Sequence, residues 1–179
     1  MKVNNIVLKL YKIAFTFTQM IIENIKINPL QSHIHGYISN TNGLCIIKSG
    51  LRNKRNLNIS INNGKLIIKE NVFFNNNCSI NVRESIEIGR NTIFGEGVLL
   101  YDHDHDYSKG INHLRSSFIT APIVIGENVW IGSNSIILKG VTIGNNCIIA
   151  AGSIITRDIP NNTIIIQKRT SKFYFISEH

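Results

Sequence analysis

Aliphatic residues in the C-terminal half of the chain return with a period of six. Ile125, Ile131, Ile137, Ile143, Ile149 and Ile155 follow one another without a slip, and in four of these units the next residue is small (Gly126, Gly132, Gly144, Ala150). A helix spaces its apolar residues three and four apart, and an amphipathic strand alternates over its whole length. Neither has this period. Short strands joined by tight turns do, with glycine relieving the backbone at the bend and the aliphatic residue always on the inner wall. The pattern predicts a solenoid, a parallel β-helix of six-residue units in which each coil covers the apolar face of the one before.

Upstream the same spacing links Ile68, Phe74 and Ile80, gains two residues, and resumes at Ile88, Phe94 and Leu100. The slip is small enough for a bulge at a turn. Between residues 34 and 69 the apolar clusters are less regular, and Asn62-Asn63-Gly64 marks a turn between two strands. Val3 to Ile27 contains neither Pro nor Gly and reads as a helix. Its longest charge-free run, Ile13 to Ile22, falls short of the roughly 18 residues a membrane span needs, and no small-residue cleavage site follows. The helix is expected to cap the open end of the solenoid; contact of residues 1–27 with a membrane surface is the second reading. The expected division is a helical cap over 1–35, a β-helix over 36–166 and a tail over 167–179.

After Leu100 the repeat stops and restarts at Ile123. The intervening loop, 101–122, is ejected from a corner, where a solenoid tolerates insertions and where they carry function. It opens with Tyr101-Asp-His-Asp-His-Asp-Tyr107, the densest group of titratable side chains in the chain.

Composition narrows the possibilities. Over 179 residues the chain is 43% apolar and 17% charged, with Asn and Ile in excess, which suits an aliphatic interior and polar turns. A net charge of +8 favours phosphate-bearing cofactors and anionic partners without choosing among them. The basic residues are scattered with no aromatic-basic module, so nucleic-acid binding is not expected. Cys45, Cys78 and Cys147 lie too far apart to suggest a disulfide framework or a zinc site, and Cys78 and Cys147 occupy small-residue slots of the repeat.

The run I-G-E-N-V-W-I-G-S-N-S-I-I-L-K-G-V-T-I-G-N-N-C-I-I-A-A-G-S-I-I-T-R-D-I-P, residues 125–160, resembles the signature of the hexapeptide-repeat acyltransferases, and within them the maltose/galactoside O-acetyltransferase branch and its relatives that acetylate capsule and O-antigen sugars. The resemblance covers residues 68–160. It implies an all-β, left-handed parallel β-helix, a homotrimer, a cytoplasmic location, and acetyl-CoA lying between neighbouring prisms with a sugar or polysaccharide as acceptor.

Residue by residue, the resemblance places a catalytic histidine shortly after the strand Gly97-Val-Leu-Leu-Tyr101, at His105. A neutral imidazole there takes the proton of a sugar hydroxyl as it attacks the thioester, a role suited to a side chain with an unperturbed pKa of roughly 6.5. Asp102, Asp104, Asp106 or a backbone carbonyl is available to hold the other ring nitrogen. His103 is the competing base, on the same face if the segment is extended, and His-x-His among acids also admits a metal site. His103, Asp104 and Asn75 are the expected acceptor-binding residues. Val82-Arg83 stands where the branch often has two acids, and Arg83 suits an anionic sugar. For the cofactor, the resemblance implies Trp130 on the outer wall, Gly132, Ser133 and Ala151 along the pantetheine arm, and Thr156 and Arg157 near the phosphates; where the family continues to a G-x-P-A/C-R/K motif this chain has Ile166-Gln-Lys-Arg-Thr-Ser171, and the cation expected there is Lys168, Arg169 or Lys172. An N-acetyltransferase of amino-sugar nucleotides and a non-catalytic or metal-binding trimeric scaffold are the alternatives.

Overall fold

A computed structural model describes residues 2–168 and Lys172. The expected β-helix is what the chain forms. Each coil contributes one short strand to each of three parallel, six-stranded sheets. The first sheet stacks Ile25–Lys26, Leu44–Ile47, Lys65–Ile68, Ser85–Ile88, Ile123–Ile125 and Thr142–Ile143. The second stacks Arg52–Asn53, Phe73–Phe74, Ile93–Phe94, Trp130–Ile131, Ile148–Ile149 and Ile164–Ile165. The third stacks Gly36–Thr41, Leu57–Asn62, Ser79–Val82, Leu99–Tyr101, Ile136–Leu138 and Ile154–Ile155.

Strand alternation sends one column of each sheet inward. Phe74, Phe94, Ile131 and Ile149 stack in register in the second sheet, and Ile59, Ile80, Leu100, Ile137 and Ile155 in the third; all are buried. Phe74 and Phe94 stack with centroids 4.3 Å apart, the one place among the described residues where two aromatic rings fill successive coils. Burying each such side chain contributes about 1.5–3 kcal/mol, and the column makes every coil depend on its neighbours. All three cysteines are free and buried, as small hydrophobes.

The excess of asparagine has a backbone cause. Among the described residues every non-glycine position with positive φ is an asparagine, the ordinary side chain that best tolerates left-handed backbone. At one corner Asn71, Asn91, Asn128, Asn146 and Asn162 lie above one another, φ 56–58°, and their amides hydrogen-bond from coil to coil at 3.0–3.3 Å.

The helix spans Lys2–Ile22, and the first solenoid strand follows at Ile25–Lys26, earlier than the expected boundary at 36 and inside the stretch expected to be helical. Asn24 turns the chain with φ 50°, and Ile25 pairs with Cys45 of the next coil. The helix covers the open edge of Gly36–Thr41 with side chains. Thr16 Oγ1 accepts from the Ile34 N–H, Gln19 Oε1 from Ile38 and Glu23 Oε2 from Asn40. At the far end the Gln167 amide accepts from the Ile154 N–H at 2.8 Å and donates to its carbonyl at 2.7 Å, closing the last strand in the same way. No described helix is long and apolar enough to cross a membrane.

Candidate active site

The ejected loop leaves from the corner between the third and first sheets. It folds back as an antiparallel pair, His103–His105 with Phe118–Thr120, joined by two short 3-10 turns. This pairing fixes both histidines. His103 is opposite Thr120 and His105 opposite Phe118, and both rings lean on the Phe118 ring, at 5.6 and 4.8 Å between centroids.

The two imidazoles differ in what holds them. His105 is exposed, and its Nδ1 is paired with the Leu114 carbonyl. His103 is largely buried, and its Nδ1 lies 2.9 Å from Oδ1 of Asp102, a carboxylate with no solvent exposure. A carboxylate and a carbonyl can only accept, so each ring carries its proton on Nδ1 and leaves Nε2 as the basic nitrogen.

Asp102 has a second duty. Its oxygens also accept from the backbone N–H of Arg83, at 2.8 and 3.0 Å, and of Glu84, at 2.8 Å. Those two residues are the slip in the repeat between Ile80 and Ile88. The extra backbone of one coil is satisfied by the carboxylate that the next coil sends to the loop's root.

Around the pair, the Arg83 guanidinium lies 3.4 Å above the Phe118 ring. Asp104 is ion-paired to Lys139 Nζ at 2.7 Å. Asp106 caps the first 3-10 turn; its bonds from Ser108 and the charge of Lys109 hold its carboxyl below the usual range. Phe118 and Lys139 were not anticipated from sequence: Phe118 sits in no recognisable motif, Lys139 is a position of the 125–160 run to which no role attached, and only the folded loop brings them here. Among the described residues no group of His, Cys, Asp and Glu is arranged to hold a metal ion.

The other expected site residues are distributed over the prism. Trp130 faces outward from the second sheet and is 54% exposed. Asn75, Gly95, Gly132 and Ala150 form one column at the corner between the second and third sheets, each N–H reaching the coil above. Gly132 has no room for a side chain, since a Cβ would lie 2.5 Å from Ala151 N. The Gly152 N–H donates to the Ser133 carbonyl at 2.7 Å, so Ser133 and Ala151 are stacked neighbours. Asn75 Oδ1 accepts from the Asn76 N–H within its own turn. Thr156 and Arg157 are exposed at the corner that carries the loop, two coils beyond His103. Arg169 lies outside the described residues.

One consequence follows from the order of the sheets. In a three-walled prism the corner between the third and first walls faces away from the second, so in a single chain Trp130 and His103 lie on opposite sides.

Within this solenoid, residues 122–157 match the family described as bacterial transferase hexapeptide (six repeats). Among individual proteins, the chain is 39% identical over 97 residues to a galactoside O-acetyltransferase of Escherichia coli K12, covering 54% of this chain and 47% of that one. It is similar to the crystal structure of a maltose O-acetyltransferase from Clostridium difficile 630, with 35% identity, 64% and 63% coverage and a TM-score of 0.51. It is also similar to a hexapeptide-repeat acetyltransferase of Vibrio cholerae complexed with acetyl coenzyme A, with 32% identity, 55% and 54% coverage and a TM-score of 0.51. The chain spans about half the length of the curated relatives it matches.

Proposed function

We propose that the protein is an acetyltransferase that moves an acetyl group from acetyl-CoA to a hydroxyl of a sugar, a unit of a surface polysaccharide. The observation that carries this reading is the His103–Asp102 pair at the root of the ejected loop. His103 Nε2 accepts the proton of the hydroxyl as its oxygen attacks the thioester carbonyl. When the tetrahedral adduct collapses, the imidazolium returns that proton to the departing thiolate. Asp102 holds the ring in the required tautomer and offsets the positive charge that develops on it. His105 is the base by resemblance, but its partner is a neutral carbonyl. The buried carboxylate favours His103, with His105 and Asp104 beside it for the acceptor; Asn75, on the corner that carries Gly132, would join them from a neighbouring copy.

Acetyl-CoA supplies the activated acetyl group. The exposed Trp130 ring suits its apolar arm, the tight Gly132-Ser133 and Ala151 column offers close backbone approach, and Thr156 and Arg157 suit its phosphates. Because Trp130 and His103 face opposite ways, one complete site takes its wall from one copy and its base from another. Ile93, Trp130 and Ile164 add an exposed apolar column to the second sheet, which a neighbouring prism would cover. Both points support a homotrimer, placed in the cytoplasm where acetyl-CoA is made. Along the helix, Ile6, Val7, Leu10, Ile21 and Ile22 are exposed beside Lys9, which supports a peripheral membrane contact as a second, separate property.

The test is release of free CoA from acetyl-CoA with a panel of sugars, and mass spectrometry of the products. His103→Ala is expected to abolish turnover and His105→Ala to reduce it. The reverse ranking moves the base to His105; full activity in both variants refutes the mechanism. An amide rather than an ester product would make the enzyme an N-acetyltransferase.

A further inference from the structure

Two adjoining cavities open between the helix and the corner of the first coils, apart from the loop. The larger, about 660 Å³, is walled by Lys12, Lys54, Arg55 and His35 with Asn76 and Asn77. The second, about 540 Å³, shares Lys12, His35 and Asn77 with it and adds the rings of Tyr11, Phe15 and Tyr37. Among the described residues no carboxylate lines either cavity. Glu96 approaches from the next coil, accepting from Asn77 Nδ2 at 3.4 Å. Lys12, Lys54 and Arg55 form no ion pair with any described residue. Three cations gathered in one recess without counter-charge repel one another, and an anionic occupant relieves that repulsion.

The wall is built rather than incidental. Asn53, nearly buried, accepts from the His35 N–H and donates to the His35 carbonyl, both at 2.8 Å, so the histidine's backbone is clamped at the junction of the two cavities. The ring itself is left with hydrogen-bonding capacity, since its buried Nδ1 has no hydrogen-bond partner among the described residues. Asn56 donates to Asn77 at 3.0 Å along the same rim.

A small inorganic anion would need the cations alone. Asparagine amides that both donate and accept match hydroxyl groups, and the three rings of the second cavity offer flat apolar surface to the faces of sugar rings. Asn76 is adjacent to Asn75, so the recess opens on the same turn as a proposed acceptor residue.

We propose that this recess binds an acidic stretch of the glycan acceptor, sugar units bearing carboxylate or phosphate groups, at a distance from the unit that is acetylated. The inference rests on the acceptor being a glycan. It makes the recess an anchoring subsite that selects acidic chains.

The test is calorimetric titration of the full chain with a galacturonate hexamer, a maltose-type neutral hexamer, inorganic phosphate, and vesicles of phosphatidylglycerol. The acidic hexamer is expected to bind and to weaken with added salt. The double substitution Lys54→Ala, Arg55→Ala, at two exposed positions outside the core, is expected to lower its affinity roughly tenfold or more. Equal binding of the neutral hexamer, unchanged affinity in the variant, or binding of phosphate or vesicles without the hexamer would each overturn the inference. Failure of the transfer reading has another signature: no acceptor releases CoA, while hexamer binding at the recess persists.

Discussion

Replacing Asp102 by Asn separates the two duties of this carboxylate. Asparagine has nearly the same shape, so no cavity opens. It retains one acceptor oxygen, whereas the aspartate serves Arg83 N–H, Glu84 N–H and His103 Nδ1 at 2.8–3.0 Å. The new NH2 must face one of those donors. Hydrogen bonds to a charged group contribute about 1.5–3 kcal/mol each, and an unsatisfied buried donor costs about 1–3 kcal/mol, so a stability loss of about 3 kcal/mol is expected. Turnover should fall on the order of 10²-fold or more, the scale of a general base that is no longer held in its tautomer. The KM for acetyl-CoA should stay the same, because the carboxylate of Asp102 is bonded to Arg83, Glu84 and His103 and to none of the described residues of the proposed cofactor wall. Urea unfolding followed by circular dichroism, at fixed protein concentration, gives the first quantity; steady-state CoA release gives the others. The companion His103→Ala keeps both backbone bonds, and should lose turnover while losing little stability. A stable, fully active Asp102→Asn enzyme would refute the account.

Three other outcomes follow from the same structure. Asn128→Ala keeps a Cβ in left-handed backbone but loses the amide that offsets its cost of about 1–2 kcal/mol, together with two bonds of the ladder; Asn128→Gly loses the same bonds but also removes the Cβ and its strain, so the urea midpoint should fall further in Ala than in Gly. Burial, aided by the charges of Lys12 and Lys9, holds His33 below its ordinary value of 6.5. The unfolded chain therefore takes up this proton first as pH falls, so the contribution of His33 to stability is intact above about pH 6.5 and declines below it; urea midpoints against pH should flatten in His33→Asn. Trp130→Ala should raise the KM for acetyl-CoA several-fold with a smaller change in kcat, measured by CoA release.

What the sequence disclosed follows the period of the solenoid. The inward column, the slip between Ile80 and Ile88 and the ejected loop all stand in the spacing of aliphatic residues, because each coil must bury the same face. The N-terminal helix was also legible, but not its end: Ile25 and Ile27 look like the last turn of an apolar helix until Asn24 breaks it. Contacts across coils left no such trace. Arg83 and Phe118 lie far apart in the chain, and the pairing of His103–His105 with Phe118–Thr120 depends on how the loop folds back.

The choice between the two histidines shows why. They stand two residues apart in a run of alternating acids, and nothing local distinguishes them. What separates them is the carboxylate of Asp102, fully buried because it answers the open N–H groups of Arg83 and Glu84 from the preceding coil. A buried carboxylate without those donors would carry a large desolvation cost; here both N–H groups answer its oxygens, and Oδ1 also holds His103. The two extra residues in the repeat, a mere bulge when read along the chain, thus build the cradle that holds His103, the base of the proposed mechanism.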